Sequence, residues 1–238
     1  MQKEILSFTL VTSLTFVACG SGSTNSNNDD NLKTITHNNL TYKEIKSPNT
    51  NKIWLDRNLG ATQVCTSIGD ISCFGDLYQW GRQTDGHEKR TSSITNIKSN
   101  AILTAGDKFI TTNNQWTDDA TDTNGLLRKT SWSNTNGNFV CPSGFRIPTI
   151  EEIKAETFDI SINTNTEVFE SFLKLPTAGY RELNGTISNI AIQTAIWSNT
   201  INSYDSNQSH EAKYSSADEN NSFSTFRGYG NSIRCIKN

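Results

Sequence analysis

A chain of 238 residues suits one large domain or two small ones. Hydrophobic residues make up 34%, below the usual globular share, so polar surface or a polar segment must absorb the difference. The net charge is −3, from 21 Lys+Arg against 24 Asp+Glu, and the charges are scattered singly, which argues against a nucleic-acid binder.

Residues 5–17 form an apolar run interrupted by Ser and Thr, followed by Ala18-Cys19-Gly20. The run is shorter than the roughly 20 apolar residues that cross a bilayer and it ends on a small residue, as a signal peptide does. Phe16-Val17-Ala18-Cys19 resembles the bacterial lipobox, with Phe16 where Leu is typical and Glu4 diluting the positive start. The expectation is a signal peptide over 1–18 and a lipid on Cys19, which becomes the mature N-terminus. Gly20–Asn31 has no apolar residue and reads as a flexible tether spanning roughly 20 Å. We assign 19–37 to the lipidated cysteine and tether and 38–238 to one domain, with order beginning near Leu32.

Removing Cys19 leaves Cys65, Cys73, Cys141 and Cys235, an even number in an exported chain, and so a disulfide framework with three connectivities. The favoured one joins Cys65 to Cys73, closing a short loop, and Cys141 to Cys235. A four-thiolate metal site is disfavoured by the wide Cys65/Cys73 spacing.

Leu40–Ile45 alternates as a strand does, Ser47–Asn51 is turn chemistry, and Lys52–Leu55 can return as a second strand. Phe74–Gly81 is aromatic core. From Arg82 to Phe139 the chain is polar and reads as a long ordered loop, either a functional surface or a mobile insertion. Helical signals concentrate after Cys141. Capping boxes stand at Thr149–Glu152 and Thr164–Glu167, and the second helix is expected to stop at Pro176. Asn184-Gly185 signals a type I′ hairpin. Segments near Ala195–Trp197, Glu211–Tyr214, Phe223–Arg227 and Ser232–Ile236 can each supply a strand. The fold class expected is α+β, with antiparallel strands, two short helices and disulfide staples.

Several segments together resemble the Fibrobacter succinogenes major paralogous domain family. They are Ile53–Gly60 (IWLDRNLG), Gly75–Thr91 (GDLYQWGRQTDGHEKRT), Cys141–Thr149 (CPSGFRIPT), Leu173–Arg181 (LKLPTAGYR), Ile196-Trp197-Ser198 and Ser232–Lys237 (SIRCIK). They run in the family's order over about residues 38–238. The resemblance implies a C-type-lectin-like domain in an exported, often lipid-anchored protein, and pairing of Cys141 with Cys235. It implies no defined activity.

His37, His87 and His210 are far apart, and no metalloprotease, nucleophile-elbow or phosphate-loop motif is present. His87 lies in a charged run that suits an anion or, better, a structural turn. Glu151 and Glu152 fit a helix start better than an acid/base pair. No enzyme is expected and no resident cofactor. Calcium, weakly held by Asp118, Asp119 and Asp122, is the one cation considered, because the EF-hand spacing fails there. Trp54, Trp80 and Trp197 read as core. Trp116 and Trp132 are divided evenly between ligand stacking and a small local core, and Asn199 is a further ligand candidate. The function expected is non-catalytic recognition of an extracellular polymer, such as a polysaccharide, or of a partner protein, from a lipid anchor on the outer membrane or cell surface. Asn199–Asn231, rich in Asn, Ser and Tyr, resembles a paratope in composition. A structural envelope protein and a glycan-acting enzyme are the alternatives.

Overall fold

The computed structural model describes residues 32–216 and 223–238. The expected signal peptide, Cys19 and the first part of the tether lie outside the described residues. By its contacts the chain divides into residues 1–31 and 32–238, and only the second unit is described below.

Order begins earlier than the assigned domain boundary. Thr34–His37 form strand β1, which pairs antiparallel with β2, Leu40–Lys46. Asn38 and Asn39 join them, both at positive φ, as a two-residue hairpin of this hand demands and as Asn tolerates. At the far end of β2 the Ser47 hydroxyl accepts from the amides of Asn49 and Thr50, turning the chain into β3, Ile53–Leu55. The five-stranded sheet has the order β1-β2-β3-β14-β7, where β7 is Phe145–Arg146 and β14 is Ile236–Lys237.

Two further sheets carry the rest of the domain. β4 (Tyr78–Gln79), β13 (Gly230–Asn231), β8 (Tyr180–Arg181) and β9 (Ile187–Ser188) form one, in that order. β10 (Thr194–Ile201), β11 (Gln208–Tyr214) and β12 (Thr225–Phe226) form the other. β5 (Ile94–Thr95) and β6 (Phe109–Ile110) make a short parallel pair. The described residues are thus α+β and mostly antiparallel.

The β8–β9 hairpin forms where expected, with a different turn. The Gly185 amide donates to the Glu182 carbonyl, and Glu182 and Thr186 pair across a three-residue loop. Gly185 alone takes positive φ, at 90°, so the loop is a turn followed by a left-handed residue rather than a type I′ turn.

Three α-helices are present among the described residues. α2 (Ile150–Ala155) and α3 (Asn165–Glu170) both start on complete capping boxes, at Thr149/Glu152 and Thr164/Glu167. α3 ends at Ser171, before Pro176, because the Ser171 backbone is already extended. α1 (Leu126–Trp132) lies inside the polar stretch, where no helix was expected. Its start is set by Asp122, whose carboxylate accepts from the amides of Leu127 and Arg128.

Cys65 pairs with Cys73, and Cys141 with Cys235. Both pairs join core clusters.

The hub of the core is the Tyr78–Arg82 backbone. Trp197 donates its indole N–H to the Tyr78 carbonyl at 2.7 Å, Trp116 to the Trp80 carbonyl at 2.8 Å, and Trp132 to the Arg82 carbonyl at 3.0 Å. Trp80 in turn donates to Ser198, and Trp54 to Glu156. A buried indole needs a partner for its one donor, and all five have one. The hub continues sideways as alternating rings and guanidinium groups. Arg82 and Arg128 flank Trp116, and Arg128 and Arg227 flank Trp80, each at 4.7–5.5 Å from the ring centre.

Candidate binding pocket

The residues singled out in the sequence do not converge. Trp116 and Trp132 are 0% and 1% exposed, so neither offers a face to a ligand. Trp132 joins the main core and Trp116 a small cluster with Ile102 and Ile110, which is the local-core alternative. The reason is the hub above: each indole is held by a carbonyl it must satisfy. Asn199 is also buried and donates to Ser133. Trp54, Trp80 and Trp197 are core, as expected.

The three aspartates considered for calcium are engaged separately. Asp118 pairs with Lys98 at 2.9 Å. Asp119 accepts from Thr121 and from the Ile102 amide. Asp122 is buried against Arg128. They do not form a calcium cage.

Among the described residues, one cluster has metal-ligating atoms close together: Asp85, His87 and Glu88. Its hydrogen bonds argue for a structural turn. His87 Nε2 accepts from the Gln79 amide, a donor that cannot reverse, so the proton sits on Nδ1 and goes to Asp85 at 2.5 Å. Burial holds the imidazole neutral, with its pKa down to about 4 despite the Asp85 contact. A metal on Nδ1 would have to displace that proton. Glu88 accepts the amides of Asp85 and Gly86. His37 and His210 likewise bond backbone carbonyls, of Val140 and Phe223. Glu152 caps α2 and grips Arg146 at 2.8 Å; burial opposes its ionisation most, but Arg146, the Thr149 amide and Lys52 together outweigh it and bring the carboxyl to about 2. Glu151 is largely exposed beside Lys154.

The site sequence reasoning missed lies where the two smaller sheets meet. β10 and the residue after β13 join them: the Trp197 amide donates to Ser232, and the Ser232 amide to Ala195. Side chains alternate along β11, so Ala212 and Tyr214 enter the helix-covered core while Glu211 and Lys213 point the other way. There, with Tyr180, Thr225, Tyr229 and Asn231, they line a partly open cavity of about 70 Å³. Tyr180 and Tyr229 meet edge to face at 5.7 Å, and Lys213 Nζ lies 5.6 Å from the Tyr180 ring centre.

Glu211 is 4% exposed at the base of this pocket. Asn231 Nδ2 donates to its Oε2 at 2.5 Å, and Lys213 lies outside ion-pair distance. Burial is the largest influence on the carboxyl and raises its pKa to about 7, with Lys213 and Asn231 pulling back only in part. Burial and the nearby Glu182 also raise both tyrosines.

A stability consequence follows. The folded state binds this proton more tightly than the unfolded chain, where a glutamate titrates at about 4.5. The stabilisation is therefore full below that value and is lost as pH rises through 7, by about 3 kcal/mol. Urea midpoints of the native protein should fall between pH 5 and pH 8 more steeply than those of Glu211→Gln. Parallel profiles would show that Glu211 is not the group responsible.

No family model, curated protein or solved structure matches the chain. No described helix is long and apolar enough to cross a membrane.

Proposed function

We propose that the chain is a lipid-anchored surface protein whose C-type-lectin-like domain binds an extracellular polymer or partner protein without catalysing a reaction. The Tyr180–Glu211–Tyr229 pocket carries this reading. It joins two aromatic rings, a buried carboxyl, a lysine, a threonine and an amide in one recess, the mixture of apolar surface and oriented polar groups from which small binding sites are built. The resemblance of the ordered segments to the Fibrobacter succinogenes major paralogous domain supports the lectin-like assignment, and the lipobox-like residues before Cys19 support the anchor on the outer membrane or cell surface. Five of the six pocket residues, all but Tyr180, fall in the paratope-like stretch Asn199–Asn231.

A glycan-acting enzyme is the second reading, favoured by one observation: a carboxyl titrating near 7 suits a general acid. Glycoside hydrolysis generally needs a second carboxyl about 5–9.5 Å away across the cleft, whereas Glu211 is the single carboxyl in the pocket lining.

The test uses the full chain in detergent micelles against a panel of glycans, envelope polymers and surface proteins. Saturable binding is expected, weakened at least tenfold in Tyr180→Ala and Tyr229→Ala, with no turnover of the bound ligand. Binding unchanged in both variants would remove the pocket from the reading, and product release would convert it to the enzyme. On cells, Cys19→Ala should release the protein from the membrane fraction.

A further inference from the structure

We infer that the pocket receives the cationic end of a partner protein's lysine or arginine side chain, which enters beside the Tyr180–Tyr229 pair to pair with Glu211. The inference rests on the reading of this pocket as the binding site and names its ligand.

Size comes first. About 70 Å³ admits one end group on a slender stem rather than a whole sugar ring. Chemistry comes second. Asn231 engages only Oε2 of Glu211, and no described residue donates to Oε1. A carboxylate bonded through one oxygen pairs most strongly with a donor that carries positive charge. Third, the walls favour a cation. Lys213 Nζ already rests over the Tyr180 ring, which shows that this wall accepts an ammonium group. Lys213 stands at the rim as the resident competitor.

The groups facing Glu211 are Lys213 on its own strand, Asn231 on β13, Tyr180 on β8 and Tyr229 before β13. Of these only Lys213 is charged near neutrality, and Glu182 adds negative charge near both tyrosines. The entering cation therefore binds the ionised carboxylate and displaces the proton that Glu211 holds at lower pH. Binding should strengthen as pH rises to about 7 and level off above it.

The probes are ethylammonium and ethylguanidinium, titrated into the full chain in micelles while the Glu211 carboxyl carbon is followed by NMR. Saturation is expected about tenfold more readily at pH 8 than at pH 6, given a carboxyl near 7. It should be lost in Glu211→Gln and tightened in Lys213→Met. Equal affinity at both pH values, retention in Glu211→Gln, or tighter binding of glucose than of either cation would overturn the inference. In a second arm, glycine-serine peptides with one central Lys or Arg are compared with a glucosamine polymer. Binding of the polymer alone would overturn the protein source. A panel ligand held through the tyrosines with no pH dependence would leave the proposed function standing and this inference failed; cation binding with no panel ligand would do the reverse.

Discussion

Replacing Asp122 with alanine should destabilise the protein by about 3–5 kcal/mol, among the largest effects of any single substitution here. Arg128 is 2% exposed and Arg227 is 0% exposed, and both guanidinium groups lie against the Trp80 ring, 5.3 and 4.7 Å from its centre. Each repels the other: burial first, then the charge of Arg128, lowers Arg227 to about 9. Asp122 is the carboxylate in direct contact, bonding Arg128 Nε. The same side chain accepts two amides at the start of α1. Its loss removes an ion pair, a helix-start acceptor and the compensation for a doubly cationic core. Urea denaturation followed by tryptophan fluorescence reads the effect, since Trp80 touches both cations. The control is Asp122→Ala with Arg128→Met. Removing the stranded charge as well should recover part of the loss, because a missing pair costs less than a broken one. A double variant less stable than Asp122→Ala would show that Arg128 matters for packing rather than charge.

Replacing Cys141 and Cys235 together with serine should cost about 4–5 kcal/mol on the chain-entropy account, against about 2–3 for the Cys65 and Cys73 pair. The difference comes from loop length. The first bridge spans 94 positions and the second 8. Cys235 is also fully buried, next to the strand pairing of Ile236 with Trp54 and Arg146. Denaturant midpoints of the two double-serine proteins, compared with the native one, check the order. A larger loss from the short bridge would mean that local packing, rather than chain entropy, dominates.

The sequence was legible where the signal is local. Thr149-x-x-Glu152 and Thr164-x-x-Glu167 each satisfy a helix start within four residues, and both helices formed. Counting left three connectivities, and the favoured one, Cys65 with Cys73 and Cys141 with Cys235, is the one that forms. What misled was polarity read as exposure. Trp116 and Trp132 sit among Thr, Asn and Asp, yet their indoles satisfy carbonyls 36 and 50 residues earlier, a partnership that no local pattern encodes. α1 escaped notice because its start depends on Asp122, which is four residues ahead and separated by a short turn. The pocket was invisible for a related reason. Glu211–Tyr214 reads as a strand, and alternation puts Glu211 and Lys213 on one face without saying what that face meets. That face meets β8 and β13, and the meeting depends on how two sheets abut.

The five-stranded sheet also sets a timetable. β3 is flanked by β2 on one side and by β14 on the other, and the residue that pairs with Trp54 is Ile236, about 180 residues further along the chain. At ribosomal speeds of about 5–20 residues per second, the first three strands exist for roughly 10–40 s before their neighbour is made. For that interval β3 offers an unpaired edge, open to the same strand of another nascent chain. An arrangement that seals early-made strands with a late one therefore favours a chain kept extended until synthesis is complete, and it makes exchange of β14 between two copies the natural misassembly of this domain.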